Sequence, residues 1–332
     1  MSDAPPPLSI LDLAIVERGG RVSDALQGCV AVAQRAEARG YRRVWYAEHH
    51  NMASIASSAT SVLIAHVAAN TDTIRLGSGG IMLPNHSPLV IAEQFGTLAS
   101  LHPGRIDLGL GRAPGSDQNT MHALRRSGLA AERFPQDVLE LQGYLSAHSL
   151  IDGVEATPGK GTEVPLYILG SSTFGAQLAA ALGLPYAFAS HFAPHSLEEA
   201  VAVYRREFQP SEQLDAPYVI AGVNVIAADT DAEAQEHLTV VRRARVERFI
   251  AGDRKLTDDE ADAILASPQG LQLAAMMQYT AVGPPETVKE YLDAFAVHAG
   301  ADELMVAHAG PTIPARLRSL ELLADVAGLV PV

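Results

Sequence analysis

The sequence predicts an α/β chain of one domain, residues 1–332: a (β/α)8 TIM barrel with an insertion after strand seven. Three observations carry this prediction. Strand-like apolar segments alternate with helix-like segments across residues 8–327. Their spacing is about 30 residues, which suits parallel strands joined by helices. Histidines and glycines follow the strands, as His49-His50, Gly79-Gly80, Asn85-His86 and Gly111-Arg112. The mouth at the strand C-termini is where such a barrel builds its site, and about 250 residues or more suffice for one barrel.

Taken in order, residues 8–15 read as a buried strand with Asp12 its one charge, and 22–39 as a helix that Gly40 ends in a left-handed cap. Strand two is 44–47 and helix two 56–69; strand three is 74–83 and helix three 89–101; strand four is 106–110. Residues 113–135 are rich in Gly, Pro, Ser, Asp and Arg and read as an active-site loop before a helix at 138–148. Residues 152–164 read as an irregular hairpin or loop. Strands 166–169, 186–190 and 218–227 alternate with helices 174–182 and 197–208. Residues 229–280 break the rhythm as a helical, charged insertion, and its run Arg242, Arg243, Arg245, Glu247, Arg248 reads as a solvated face. A helix at 286–298, a strand at 304–308 and a helix at 315–327 complete eight units.

Composition narrows the class. Apolar residues make up 48% of the chain, charged residues 19%, and the formal charge is −14. With no basic stripe, neither nucleic acid nor an anionic membrane is expected as a partner. Cys29 is the only cysteine, which excludes an intramolecular disulfide and a cysteine metal cluster, and its apolar helical setting reads as core. Residues 1–7 carry no signal-peptide pattern, and no apolar run reaches membrane-spanning length, so a cytoplasmic enzyme is expected.

Four stretches carry the chemistry. Gly109-Leu110-Gly111-Arg112-Ala113-Pro114-Gly115 follows a strand but lacks the features of a P-loop or a dinucleotide fingerprint. Its glycines allow close backbone approach and its guanidinium suits a phosphate; a tight turn with a surface arginine fits equally. Leu169-Gly170-Ser171-Ser172-Thr173 opens a helix, where free N–H groups and hydroxyls form an anion site or an ordinary N-cap. Glu48-His49-His50 ends a strand, so neighbouring side chains diverge and one histidine at most enters the mouth freely. A structural histidine, a general acid/base and a hydrogen-bond donor to a bound ring are all compatible. His86, His191 and His308 lie near other strand ends, but no carboxylate-rich cluster completes a metal site, and none is expected. Ser78-Gly79-Gly80-Ile81 marks either a bulge or a ligand pressed against the main chain.

These stretches together resemble the bacterial luciferase-like flavin monooxygenases, in the subgroup of luciferase-like FMN-dependent oxidoreductases. The resemblance rests on Trp45-Tyr46-Ala47-Glu48-His49-His50-Asn51, on residues 77–86 from Gly77 to His86, on residues 104–112 from Gly104 to Arg112, and on Leu169-Gly170-Ser171-Ser172. It implies a barrel that binds FMN, with the reduced form supplied as co-substrate by a separate flavin reductase. Carried over by position, Arg112 with Gly170, Ser171 and Ser172 would hold the flavin phosphate. Gly79-Gly80 would be the cis peptide behind the isoalloxazine, with Gly111 and the rim residue His86 beside the cofactor. His49 matches the catalytic histidine, and Glu48 reads as structural. Luciferases carry a reactive cysteine where this chain has Gly111, which speaks against light emission as the native output.

The implied reaction runs from reduced FMN and O2 through a C4a-(hydro)peroxyflavin to oxygenation of a small organic substrate, with 113–135 and 229–280 as lids. Alternatives are an F420-dependent hydride-transfer oxidoreductase of the same superfamily, a low-turnover flavin-binding protein and a metal-dependent barrel hydrolase. The Glu48-His49-His50 wording favours the FMN side, since the F420 branch often has an Asp-His pair there. A homodimer is also implied, through helices carrying Val62, Leu63, Ile64 and Val67, and Val90, Ile91 and Phe95.

Overall fold

The computed structural model describes residues 5–113, 117–127, 129–252 and 254–331. The chain runs β1 (Leu8–Asp12), α1 (Val22–Ala38), β2 (Arg43–Tyr46), α2 (Thr60–Ala68), β3 (Arg75–Met82), α3 (Pro88–Leu101), β4 (Ile106–Gly111), α4 (Gln118–Ala123) and α5 (Phe134–Leu145). It continues with β5 (Leu166–Gly170), α6 (Thr173–Leu182), β6 (Tyr186–Phe188), α7 (Leu197–Glu207), β7 (Val219–Ala227), α8 (Asp231–Phe249), α9 (Asp258–Leu265) and α10 (Pro268–Ala275). The last elements are β8 (Thr280–Gly283), α11 (Pro285–Ala299), β9 (Glu303–His308) and α12 (Ile313–Ala327).

All strand pairings among the named strands are parallel, and β1 to β7 followed by β9 close into a ring through the β6–β7 and β9–β1 pairs. This is the expected eight-stranded TIM barrel. β7 is buried at all nine positions, as a strand covered on both faces must be. Gly40 caps α1 at φ +83°, and a Cβ there would also stand 2.4 Å from the Val330 carbonyl oxygen, so both conformation and space demand glycine.

The insertion is helical as expected, but it ends in a strand. β8 pairs with the second half of β7, at Asn224 to Ala227, outside the ring. Four residues are too few to show a strand period, and their strand character comes from the free β7 edge. Within 113–135 the chain forms α4, whose start Asp117 caps through Thr120 N–H at 3.0 Å. α5 begins at Phe134, four residues before the expected start, with Pro135 in its first turn.

The N-terminal end of the ring is closed by charge. Buried Arg43 donates from Nη1 to Asp107 Oδ2 at 2.7 Å and to Tyr167 Oη at 2.8 Å, and its Nε lies 3.0 Å from Glu303 Oε1. Asp107 also accepts from Trp45 Nε1 at 3.1 Å, and Glu303 from Tyr218 Oη at 2.7 Å. Above this layer Leu11, Trp45, Tyr167, Ala187, Ile220 and Met305 fill the interior. The opposite, C-terminal end is left for a site.

His308 ends β9 fully enclosed, with Nδ1 2.9 Å from Ser319 Oγ. Burial, aided by the charge of Arg316, pushes its pKa down to about 3. The unfolded chain takes up the proton near pH 6.5 whereas the fold refuses it, so stability is complete above that pH and falls as pH drops towards 3, by roughly 1.4 kcal/mol per unit. Chemical denaturation between pH 7 and 4 is expected to show this acid loss, with a shallower slope in His308→Gln.

Candidate active site

The mouth of the barrel is assembled from the segments that follow β2, β3, β4, β5 and β6, and from α8 above them. His49 and His50 diverge just after β2, as alternation requires. His50 Nε2 donates to Glu48 Oε1 at 2.7 Å, and His86 Nε2 donates to the same oxygen at 2.8 Å. Oε2 accepts the Met82 N–H at 3.0 Å. Burial alone would raise Glu48, but the hydrogen bonds from His50 and His86 overcome it and hold the carboxylate below its usual range, while His50 rises in turn. Glu48, His50 and His86 thus form a clamp between the ends of β2 and β3. They are also three groups able to offer metal-ligand atoms within 4.8 Å of one another. His86 joins this clamp and ties the loop after β3 to Glu48.

His49 is different. Its Nδ1 is sealed from solvent without a hydrogen-bond partner, and burial lowers its pKa. His191, after β6, is in the same condition, its Nδ1 unpartnered and its pKa pushed down to about 4 by burial, then by the Arg245 guanidinium and His49. In a ring of eight strands β2 and β6 stand opposite, so two neutral imidazoles meet across the mouth.

The Gly79–Gly80 peptide is cis, at a register shift between β3 and β4. A Cβ on Gly80 would stand 2.7 Å from the Gly109 carbonyl oxygen, and one on Gly79 2.9 Å from Leu11 Cδ1. The two glycines therefore answer to the bulge and to close packing against β4 and the core. Gly111 behaves in the opposite way. Among the described residues a Cβ there would meet only the Ile81 carbonyl oxygen, at 3.8 Å, which leaves space above the strand end.

Beside Gly111, exposed Arg112 lays its guanidinium over the Phe174 ring at 4.1 Å. That places it against the start of α6. Ser172 begins this helix without a side-chain cap bond, Ser171 is exposed and Gly170 half-buried. Uncapped first-turn N–H groups, two hydroxyls and a guanidinium are groups able to bind an anion such as a phosphate. Phe174, which sequence reasoning missed, orients the arginine by a cation–π contact. Pro114 and Gly115, the end of that glycine motif, lie outside the described residues.

The arginine run of the insertion needs a correction. Arg242 is exposed, and Arg243 pairs with Asp258 and Asp262 at 2.6 Å each. Arg245 and Arg248, however, turn inward over the mouth, where burial lowers both, Arg245 to about 10. Of the expected solvated face only Arg242 is exposed.

Residues 10–303 match the family model described as luciferase-like monooxygenase. A luciferase-like monooxygenase of Escherichia coli (strain K12) is 47% identical over 330 residues, spanning 98% of each chain. N-acetyl-S-alkylcysteine monooxygenase of Bacillus subtilis (strain 168) is 37% identical over 268 residues, 78% of this chain and 79% of that one. The crystal structure of apo-MsnO8 superposes with a TM-score of 0.88 at 37% identity, over 98% of this chain and 99% of that chain. The oxygenating constituent of 3,6-diketocamphane monooxygenase from Pseudomonas putida, solved with FMN, shares the fold, with a TM-score of 0.72 at 18% identity over 98% and 99% of the two chains.

Proposed function

As the chain belongs to the luciferase-like monooxygenase family, we propose that it is an FMN-dependent monooxygenase that uses reduced flavin and O2 to oxygenate a small organic substrate. The observation that carries this reading is the pairing of Arg112 on Phe174 at the uncapped start of α6 with Gly111, beside which the described residues leave the Cβ position open. Bound FMN in its reduced form supplies the electrons that activate oxygen. Arg112, Ser171 and Ser172 would hold its phosphate, and Gly79, Gly80 and Gly111 would border its ring. His49, kept neutral near pH 7 by burial, would accept or return a proton at Nδ1. α8 and the 113–135 segment would cover the mouth and exclude water. The loop is tied down where Asn51 Nδ2 donates to Asp117 Oδ2 at 2.8 Å.

The reading extends to one domain over residues 1–332, a cytoplasmic location, a separate flavin reductase and a homodimer. Of the apolar residues expected at the dimer face, Leu63, Ile64, Val67, Ile91 and Phe95 are buried within the chain, whereas Val62 (68% exposed) and Val90 (43%) remain outward. Small-angle scattering is expected to give the mass of two chains; a monomer would overturn the dimer.

Anaerobic titration tests the cofactor. Reduced FMN is expected to bind, more weakly in Arg112→Ala, and riboflavin to bind less well than FMN. Preference for reduced F420 would move the protein to hydride transfer. Gly111→Leu supplies a further check. Among the described residues its Cβ meets no atom closer than ordinary contact, so folding is expected to persist while reduced FMN binding falls at least about tenfold.

A further inference from the structure

Arg245 and Arg248 lie one helical turn apart on α8, on the side that faces the mouth. Arg245 Nη1 is sealed from solvent with no hydrogen-bond partner. Arg248 Nε donates to Ser54 Oγ at 2.8 Å, in the loop that follows His49. Among the described residues no carboxylate comes within 4 Å of either guanidinium, although Glu247 between them pairs with Arg18 at 3.0 Å. Phe249, on the next position of α8, packs its ring 6.1 Å from Phe192, which follows His191. α8 therefore bridges the mouth from the end of β6 to the loop after β2. Below it, Glu48 is turned away into its clamp with His50 and His86.

Two desolvated guanidiniums without a counter-ion are costly, and proteins pair such charges unless a ligand does so. The planar fork of arginine fits a carboxylate in particular. The flavin phosphate already has a seat at Arg112 and Ser172, on the β4–β5 wall, away from the β6-to-β2 span of α8.

We propose that Arg245 and Arg248 bind the carboxylate of an anionic organic substrate and hold it across the mouth from the flavin phosphate seat, next to His49 and His191. This substrate class rests on the monooxygenase reading of the same mouth. His191, neutral at pH 7, adds a hydrogen-bonding group without a competing charge. Its ring is fixed against β7, since a Cβ on Gly222 would stand 2.3 Å from His191 Nδ1.

The test compares hexanoate with hexanamide, by calorimetry under nitrogen, on protein saturated with reduced FMN and on flavin-free protein. Hexanoate is expected to bind about tenfold or more tightly than hexanamide. Arg245→Gln and Arg248→Gln should each erase most of that preference, and Arg245→Lys should restore part of it, while reduced FMN affinity stays within about twofold in all three. Equal binding of hexanoate and hexanamide to the wild type would overturn the proposal. So would a loss of reduced FMN affinity in the arginine variants with the hexanoate preference intact, which would assign the guanidiniums to the flavin. Should reduced FMN fail to bind while flavin-free protein still prefers hexanoate, the anion seat is upheld and the cofactor reading falls.

Discussion

Arg43→Met is expected to cost about 3–5 kcal/mol of folding stability, the typical penalty for removing one partner of a buried ion pair. The substitution preserves much of the side-chain volume but leaves Asp107 and Glu303, both fully buried, without their guanidinium. Asp107 retains Arg75 and the Trp45 indole N–H, whereas Glu303 keeps the Ser9 and Tyr218 hydroxyls and only a more distant guanidinium, Arg42 at 3.7 Å, so the heavier loss falls on Glu303. Folds of this kind are stable by only about 5–15 kcal/mol, and a large share of the margin would vanish. Urea denaturation of Arg43→Met, of Glu303→Gln and of the double variant provides the check. The double variant should be more stable than the sum of the single losses predicts, because Glu303→Gln removes the buried charge that Arg43 had paired. Additive losses would mean that the two side chains do not act as a pair. The reduced FMN binding proposed for the far end of the barrel should survive wherever the fold does.

The second large effect concerns His49. His49→Ala is expected to lower oxygenation about 10²- to 10⁴-fold, the usual contribution of a positioned acid/base, with reduced FMN affinity nearly unchanged. Rates are to be read on the best substrate from a panel of thioethers, aldehydes and ketones bearing a carboxylate. Because burial lowers His49, the acidic limb of the wild-type rate profile should fall below pH 6.5, where an ordinary histidine titrates. Neutral imidazole is the active form on this account, so activity holds above that limb and drops as pH falls through it. A limb at or above 6.5, or full activity in His49→Ala, would remove the residue from the chemistry.

Much of this architecture is legible in the chain itself. Apolar runs bounded by glycines mark the eight ring strands, and the glycine–histidine punctuation falls at their C-terminal ends because backbone must bend there into loops. The proposed phosphate seat is foreshadowed by Arg112 and by Ser171-Ser172, but their convergence needs the β4–β5 pairing and the Phe174 ring. The clamp on Glu48 was hidden for the same reason, since His86 lies 38 positions away and reaches it only through the β2–β3 pair. Arg43, Asp107 and Glu303 stand on three separate strands, β2, β4 and β9, and their union inside the ring depends on closure. Arg245 and Arg248 were hardest to place. Charges surround α8, so no apolar stripe reveals which side meets the barrel, and only the folded insertion shows that two of its arginines face inward.

An oxygen pulse tests the central claim most directly. Protein holding one equivalent of reduced FMN is mixed anaerobically, then with O2 in a stopped-flow spectrometer. The account predicts that flavin reoxidation follows a course distinct from that of free reduced FMN, through an absorbance transient belonging to neither the reduced nor the oxidised form and altered in His49→Ala. A trace identical to free reduced FMN would contradict it.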